Sequence, residues 1–212
     1  MRKSILIAIT VVLVVALGAA AAVVGSEGNP SSKATCQVGY VEILNSGDMG
    51  WTPILSNVIK MPNQKDLFID VSLECGLYTK TLVKSKGLVP DTSTAMALIK
   101  VRVWVDDDLA YPGEVTFNAR TQTLTAKFAG MLVDDQLTEE ELELILDTMS
   151  ANSFNFILDD LPQGTHTVTV EAMIDTETLA QLGVAEAWAT IGNGSVTVEE
   201  VRMIKGEDIL LE

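Results

Sequence analysis

The stretch Ile99-Lys100-Val101-Arg102-Val103-Trp104-Val105-Asp106 alternates apolar and polar residues, with Trp104 the one apolar residue in the polar phase. A period of two puts Ile99, Val101, Val103 and Val105 on one face of a strand and Lys100, Arg102, Trp104 and Asp106 on the other. A strand with one apolar face needs a second layer to bury it, so this segment predicts a layered β fold.

The pattern extends in both directions. Val115, Phe117 and Ala119 alternate, as do Leu124, Ala126 and Phe128 against Thr123, Thr125 and Lys127. Val168, Val170 and Ala172 alternate with Thr167, Thr169 and Glu171. Turn chemistry separates these runs. Tyr111-Pro112-Gly113-Glu114 suits a type II turn and Leu161-Pro162-Gln163-Gly164 a type I turn. Asn193-Gly194, between the runs 185–191 and 195–203, reads as a hairpin. With Ser195 it also matches a glycosylation sequon, which the tight turn makes secondary. Val196 and Val198 are out of phase with Val201 and Met203, so Glu199-Glu200 is expected to mark a bulge that switches faces.

One segment reads differently. Thr138 and Glu141 fit a capping box, and Leu137 and Leu142 fit a hydrophobic staple around it. Leu142, Ile145, Leu146 and Met149 recur at helical spacing, which predicts a helix over 138–150 lying across the strands. About ten short strands with one inserted α-helix make an antiparallel β-sandwich, Ig-like or jelly-roll-like, the expected fold for residues 36–212. The phrase Leu161–Ala172 (LPQGTHTVTVEA) resembles the late strand of immunoglobulin-like and fibronectin type III-like modules. That resemblance implies a secreted sandwich module.

Residues 1–25 carry an address. Arg2 and Lys3 precede the apolar run Ile5 to Val24, which ends in Gly18-Ala19-Ala20-Ala21-Ala22. This is the pattern of a secretory signal peptide, or of a retained N-terminal membrane anchor, since the run is close to the length that spans a bilayer. Residues 26–35 are rich in Gly, Pro and Ser and read as a flexible spacer. The expected location is extracellular or at the cell surface, with membrane contact only through residues 5–24.

The formal charge is −15, and removal of Arg2 and Lys3 with a leader takes it to −17. A field of that sign repels phosphate backbones, so nucleic acid is excluded as a partner. Cys36 and Cys75 are the only cysteines, and in an exported protein an even count suggests a disulfide closing a loop of about 40 residues. Two cysteines and one histidine are too few for a zinc site.

Catalytic patterns are sparse. His166 is the sole histidine, no G-x-S-x-G occurs, and His166 falls in the phase of Val168 and Val170 at the rim of the core. The acidic groups Asp106-Asp107-Asp108, Asp134-Asp135 and Asp159-Asp160 fall at strand ends and loops. They are the candidate ligands for a structural calcium ion, the one cofactor worth testing. Trp104 stands on a polar face; with Trp51 and Trp188 it is either covered within the molecule or part of a contact surface. The expectation is a non-catalytic structural or interaction protein with a protein partner or self-association, including assembly into a filament through the leading strand Gln37–Leu44. The alternative is a glycan-binding module or glycan-active hydrolase whose carboxylates pair only in space.

Overall fold

The computed structural model describes residues 33–40 and 49–203. Residues 1–25, expected to be a leader or anchor, and most of residues 26–35, expected to be a spacer, lie outside the described residues. Ala34 onward forms one compact unit with its own core. Ala34 and Thr35, expected within the spacer, already belong to the first strand.

Eleven strands account for the described fold: β1 (Ala34–Tyr40), β2 (Met49–Met61), β3 (Lys65–Ser85), β4 (Asp91–Val105), β5 (Asp108–Leu109), β6 (Val115–Ala126), β7 (Leu132–Val133), β8 (Gln136–Leu137), β9 (Glu140–Leu161), β10 (Gly164–Ala180) and β11 (Val184–Val201). One sheet has the order β1-β11-β3-β9. The other runs β2-β10-β4, with β6 and the short β5 both paired to β4. β7 and β8 form a separate small hairpin. Every pairing is antiparallel. Leaving aside the two-residue strands, the first pairs with the last, the second with the last but one, β3 with β9 and β4 with β6.

The core forms where the inward faces meet. β4 alternates buried and half-buried along its whole length, with Ile99, Val101, Val103 and Val105 inward as their period predicts. Val168, Val170 and Ala172 of β10 lie beside them. Across the layer stand Ile69, Val71 and Leu73 of β3 with Val196 and Val198 of β11. All of these are nearly sealed from solvent. At about 1.5–3 kcal/mol for each fully buried aliphatic side chain, this is the main source of stability.

Several local expectations are corrected. The helix over 138–150 is absent: these residues open the 22-residue strand β9, paired with β3 from Glu140 opposite Ser85 to Leu161 opposite Lys65. Leu142, Leu144 and Leu146 also alternate with Glu141, Glu143 and Ile145, and a long partner strand rewards that period over the helical one. Thr138 caps no helix; its Oγ1 accepts from Met131 N and donates to Met131 O, closing the β7–β8 hairpin. Asn193-Gly194 is no hairpin but part of β11, at a register shift between Ile191 and Gly194. A Cβ at Gly194 would stand 2.6 Å from Leu73 Cδ2, so close packing explains this glycine. The bulge is therefore here and not at Glu199-Glu200. Glu200 continues the inward phase of Val196 and Val198 and is buried against Lys65 Nζ at 2.9 Å. The Tyr111-Pro112 bond is cis, with Gly113 N donating to Ala110 O, which is a type VI turn and not type II. A register shift opposite Ile99 and Lys100 turns Ala119 outward, out of phase with Val115 and Phe117.

Candidate interaction surface

The two layers do not meet equally well on both flanks. β9 is an edge of its sheet and overhangs β6, the edge of the other. Even-numbered residues of β9 face inward, as Phe156 and Leu158 show by being buried. Yet Leu142, Leu144, Leu146 and Phe154, on that same face, remain 40–43% exposed. Polar side chains of β6 bridge the gap instead. Gln122 Nε2 donates to Leu144 O at 2.8 Å and to Thr81 Oγ1 at 2.6 Å, and its Oε1 accepts from Thr79 Oγ1 at 2.9 Å. Arg120 Nη1 donates to Leu77 O and Leu146 O, and Nη2 to Thr148 Oγ1. Asn118 Nδ2 donates to Ser150 Oγ. The same end of the molecule exposes Leu132, Leu137, Leu179 and Leu182.

The outer edge of β9 can be read from one contact. Ile157 N donates to Tyr111 O and Ile157 O accepts from Tyr111 N. Both main-chain groups of Ile157 therefore point away from β3, although Phe68 of β3 stands opposite. In an antiparallel ladder this alternates strictly. The register is unbroken from Leu158 back to Glu140, so alternate residues from Glu141 to Asn155 aim their N–H and C=O outward. Among the described residues no strand pairs with that edge. The acidic outer face beside it is balanced by lysines of β3: Lys80 contacts Glu143 and Glu186, and Lys84 contacts Glu141 and Glu139. Hydrogen bonds donated by Lys80 to Glu143 and by Lys84 to Glu141, ahead of the charge attraction, hold both ammonium groups above their ordinary range.

The tryptophans lie elsewhere. On the outer face of the second sheet the Arg102 guanidinium stands 4.3 Å from the Trp51 ring centre and 5.2 Å from that of Trp104. Glu171 Oε2 accepts from Arg102 Nε at 2.7 Å and from Trp104 Nε1 at 2.9 Å. Trp104 is thus covered by its sheet neighbours and not by a helix. Trp188 stacks on Tyr78 at 4.9 Å and 8° on the outer face of the first sheet. The structure does not join the three into one surface.

The cysteines are both free. Cys36 lies exposed on β1 opposite Thr197, and Cys75 is buried on β3 opposite Ile191. Two strand spacings, with β11 between, and five residues along the sheet separate them, roughly 20 Å in all and far beyond disulfide reach. Burial pushes the Cys75 thiol up to about 11, against a smaller opposing hydrogen bond from Asn152.

Nor do the acidic groups converge: no cluster of three metal-ligating side chains occurs among the described residues. Asp134 and Asp135 form the β7–β8 turn, both with positive φ. Asp160 donates its N–H to Asp66 Oδ1, and Asp159 stands beside it near the end of β9. Asp107 is exposed in the turn after β4, and Asp108 is exposed at the start of β5. Asp106 plays a structural part, since its Oδ1 accepts from Thr167 N at 2.9 Å and its Oδ2 lies 2.8 Å from His166 Nδ1. The Thr167 hydrogen bond, ahead of that to His166, holds the Asp106 carboxyl below its usual range. His166 Nε2 sits 2.9 Å from Pro162 O, so the buried ring ties the β9–β10 turn to the end of β4.

Sequence reasoning missed the β9 edge because it read that segment as a helix. The signal was present in the Leu142, Leu144, Leu146 alternation continuing into Phe154, Phe156 and Leu158. Neither a protein-family model nor a curated protein matches the chain. Among solved structures, that of infectious bursal disease virus, Gx strain, matches with a TM-score of 0.36 and 11% identity over 84% of this chain and 33% of that one. The VP2 subviral particle of the same virus matches at 0.25 and 14% over 82% and 39%. The chain spans between a third and two fifths of the length of these structures. Likeness at this level describes neither the fold nor the work of this chain.

Proposed function

We propose that this is an exported, non-catalytic β-sandwich of jelly-roll winding that works at the cell surface or outside the cell by self-association. The nested pairing of first strand with last supports the jelly-roll reading over an immunoglobulin-like one. The observation that carries the function is the open flank: an unpaired edge strand with half-exposed leucines on its inward face. Export rests on the reading of residues 1–25. A non-catalytic role is supported by the work already given to the groups that might do chemistry. His166 and Asp106 tie strands together, and Glu171 holds Arg102 and Trp104.

The leading strand is less suited to exchange between copies than its sequence suggests. Ala34–Tyr40 pairs with β11 of its own chain over seven residues. Filament formation through that arm requires this pairing to be given up.

The test is the solution mass of residues 26–212, which hold both sheets whole, by light scattering with millimolar calcium and again with chelator. A mass above the monomer supports the reading, and equal masses in both conditions place calcium outside the assembly. A monomer in both overturns self-association and turns the search to glycans and other ligands.

A further inference from the structure

The open edge of β9 has a property beyond being unpaired: it is complementary to itself. Its outward main-chain groups run from Glu141 to Asn155, because Tyr111 occupies the edge at Ile157. The middle of that stretch is Thr148, and its length is roughly 50 Å at ~3.4 Å per residue. Its acidic residues, Glu141, Glu143 and Asp147, all lie before the middle, and the outward residues beyond it are neutral.

We infer that β9 pairs with β9 of a second copy, antiparallel about a two-fold axis at Thr148, joining two four-stranded sheets into one of eight. The inference rests on the self-association reading above and names its surface. In this register Glu141 stands opposite Asn155 of the second copy, Glu143 opposite Ser153, and Ile145 opposite Ala151. Each is a position where both strands turn N–H and C=O toward one another. On the inward face Leu142 meets Phe154, so two half-exposed apolar residues cover each other, and the two-fold makes this happen twice.

Charge selects the direction. Parallel pairing in register would set Glu141 on Glu141 and Glu143 on Glu143, and like charges directly opposite are destabilising. Antiparallel pairing sets each acid against a neutral side chain. It also closes on itself: one edge is used by each copy, so the product is a dimer and not a filament.

The register gives a sharp test. A residue on the axis faces its own copy as a non-hydrogen-bonded pair, with Cα atoms about 4.5 Å apart, within disulfide range. Thr148→Cys in a Cys36→Ser background of residues 26–212 should therefore oxidise to a covalent species of twice the chain mass. Cys75, buried and with its thiol pushed up, stays out of the reaction. Ala151→Pro removes an outward donor without touching the β3 ladder and should yield a monomer with the sandwich intact by circular dichroism. Leu142→Glu, at an exposed position, should do the same and covers the case in which the proline variant unfolds.

A dimer that cross-links at Thr148→Cys and is lost in either edge variant supports the pairing. An oligomer that does not cross-link there and survives both variants overturns it while leaving self-association standing. So does an oligomer lost only when residues 26–44 are deleted. A monomeric wild-type chain overturns both.

Discussion

Over β11 and β3 the two sheets are held together by side chains that touch one another; toward β9 they are held by side chains that reach for the opposite main chain. Ile69, Val71, Val101, Val103, Val196 and Val198 make the first flank, all fully buried. Asn118, Arg120 and Gln122 make the second, crossing from β6 to hydroxyls and carbonyls of β3 and β9. The first arrangement gains from removing apolar area from water and is indifferent to direction. The second gains little net energy per bond, but it fixes geometry and is expensive to leave half-made. The difference explains how one strand is held in place while its leucines stay in contact with solvent.

Phe156, fully buried on β9 beside Phe154, belongs to the part of that strand the core still reaches. Phe156→Ala should cost about 3–5 kcal/mol in denaturant unfolding, through lost burial and the cavity left behind. A loss no larger than that of a surface variant would mean that the inward face of β9 carries no core weight.

Gln122→Ala attacks the polar flank directly, stripping partners from Thr79, Thr81 and Leu144 O at once. The expected loss is about 1–3 kcal/mol, the range for buried polar groups left unsatisfied. Its signature is local: amide exchange in Leu142–Met149 should accelerate more than in β4 or β10. Uniform acceleration across all strands would refute the separation of the two flanks.

The outer face supplies a control. Arg102→Ala removes the cation between Trp51 and Trp104 and leaves Glu171 with Trp104 Nε1 alone, at about 1 kcal/mol for a partly exposed group. Exchange at the β9 edge should not change. Accelerated exchange there would show the two sheets coupled through their backs.

Acid gives the smallest effect. The Asp106 carboxyl is held below its ordinary value, so its contribution is complete above about pH 4 and is lost as pH falls through the folded value. Asp106→Asn should lower stability at neutral pH and so flatten that part of the stability–pH curve, by an amount that adds to the loss from Gln122→Ala in a double variant. A curve unchanged by the substitution would assign the acid sensitivity to other carboxylates.

The apolar flank was legible residue by residue in the sequence, because a strand buried on one face must alternate and Ile99–Val105 does. The polar flank was not. Asn118, Arg120 and Gln122 read as the wet side of a strand, and only the opposing sheet reveals that they face inward. β9 failed for a related reason. Leu142, Ile145, Leu146 and Met149 satisfy a helical period while Leu142, Leu144 and Leu146 satisfy a strand period, and a long partner in β3 decides between them. Gly194 was read as a turn residue, yet its lack of a side chain serves close packing against Leu73. Cysteine parity gave no guide to distance. Each miss concerns a residue whose role is set by a strand far away in the chain.

The nested pairing of the strands also fixes an order of events during synthesis. Among the eight long strands only β4 and β6 are both neighbours in sequence and partners in a sheet; β3 waits for β9, β2 for β10 and β1 for β11. Closure of such distant loops is slow, and the fold must grow from the middle of the chain toward its two ends. Among the described strands the last to leave the ribosome is not a peripheral one, for β11 lies between β1 and β3. A chain cut short before Val184 does not lack an edge: it lacks the strand that joins β1 to the rest of its sheet.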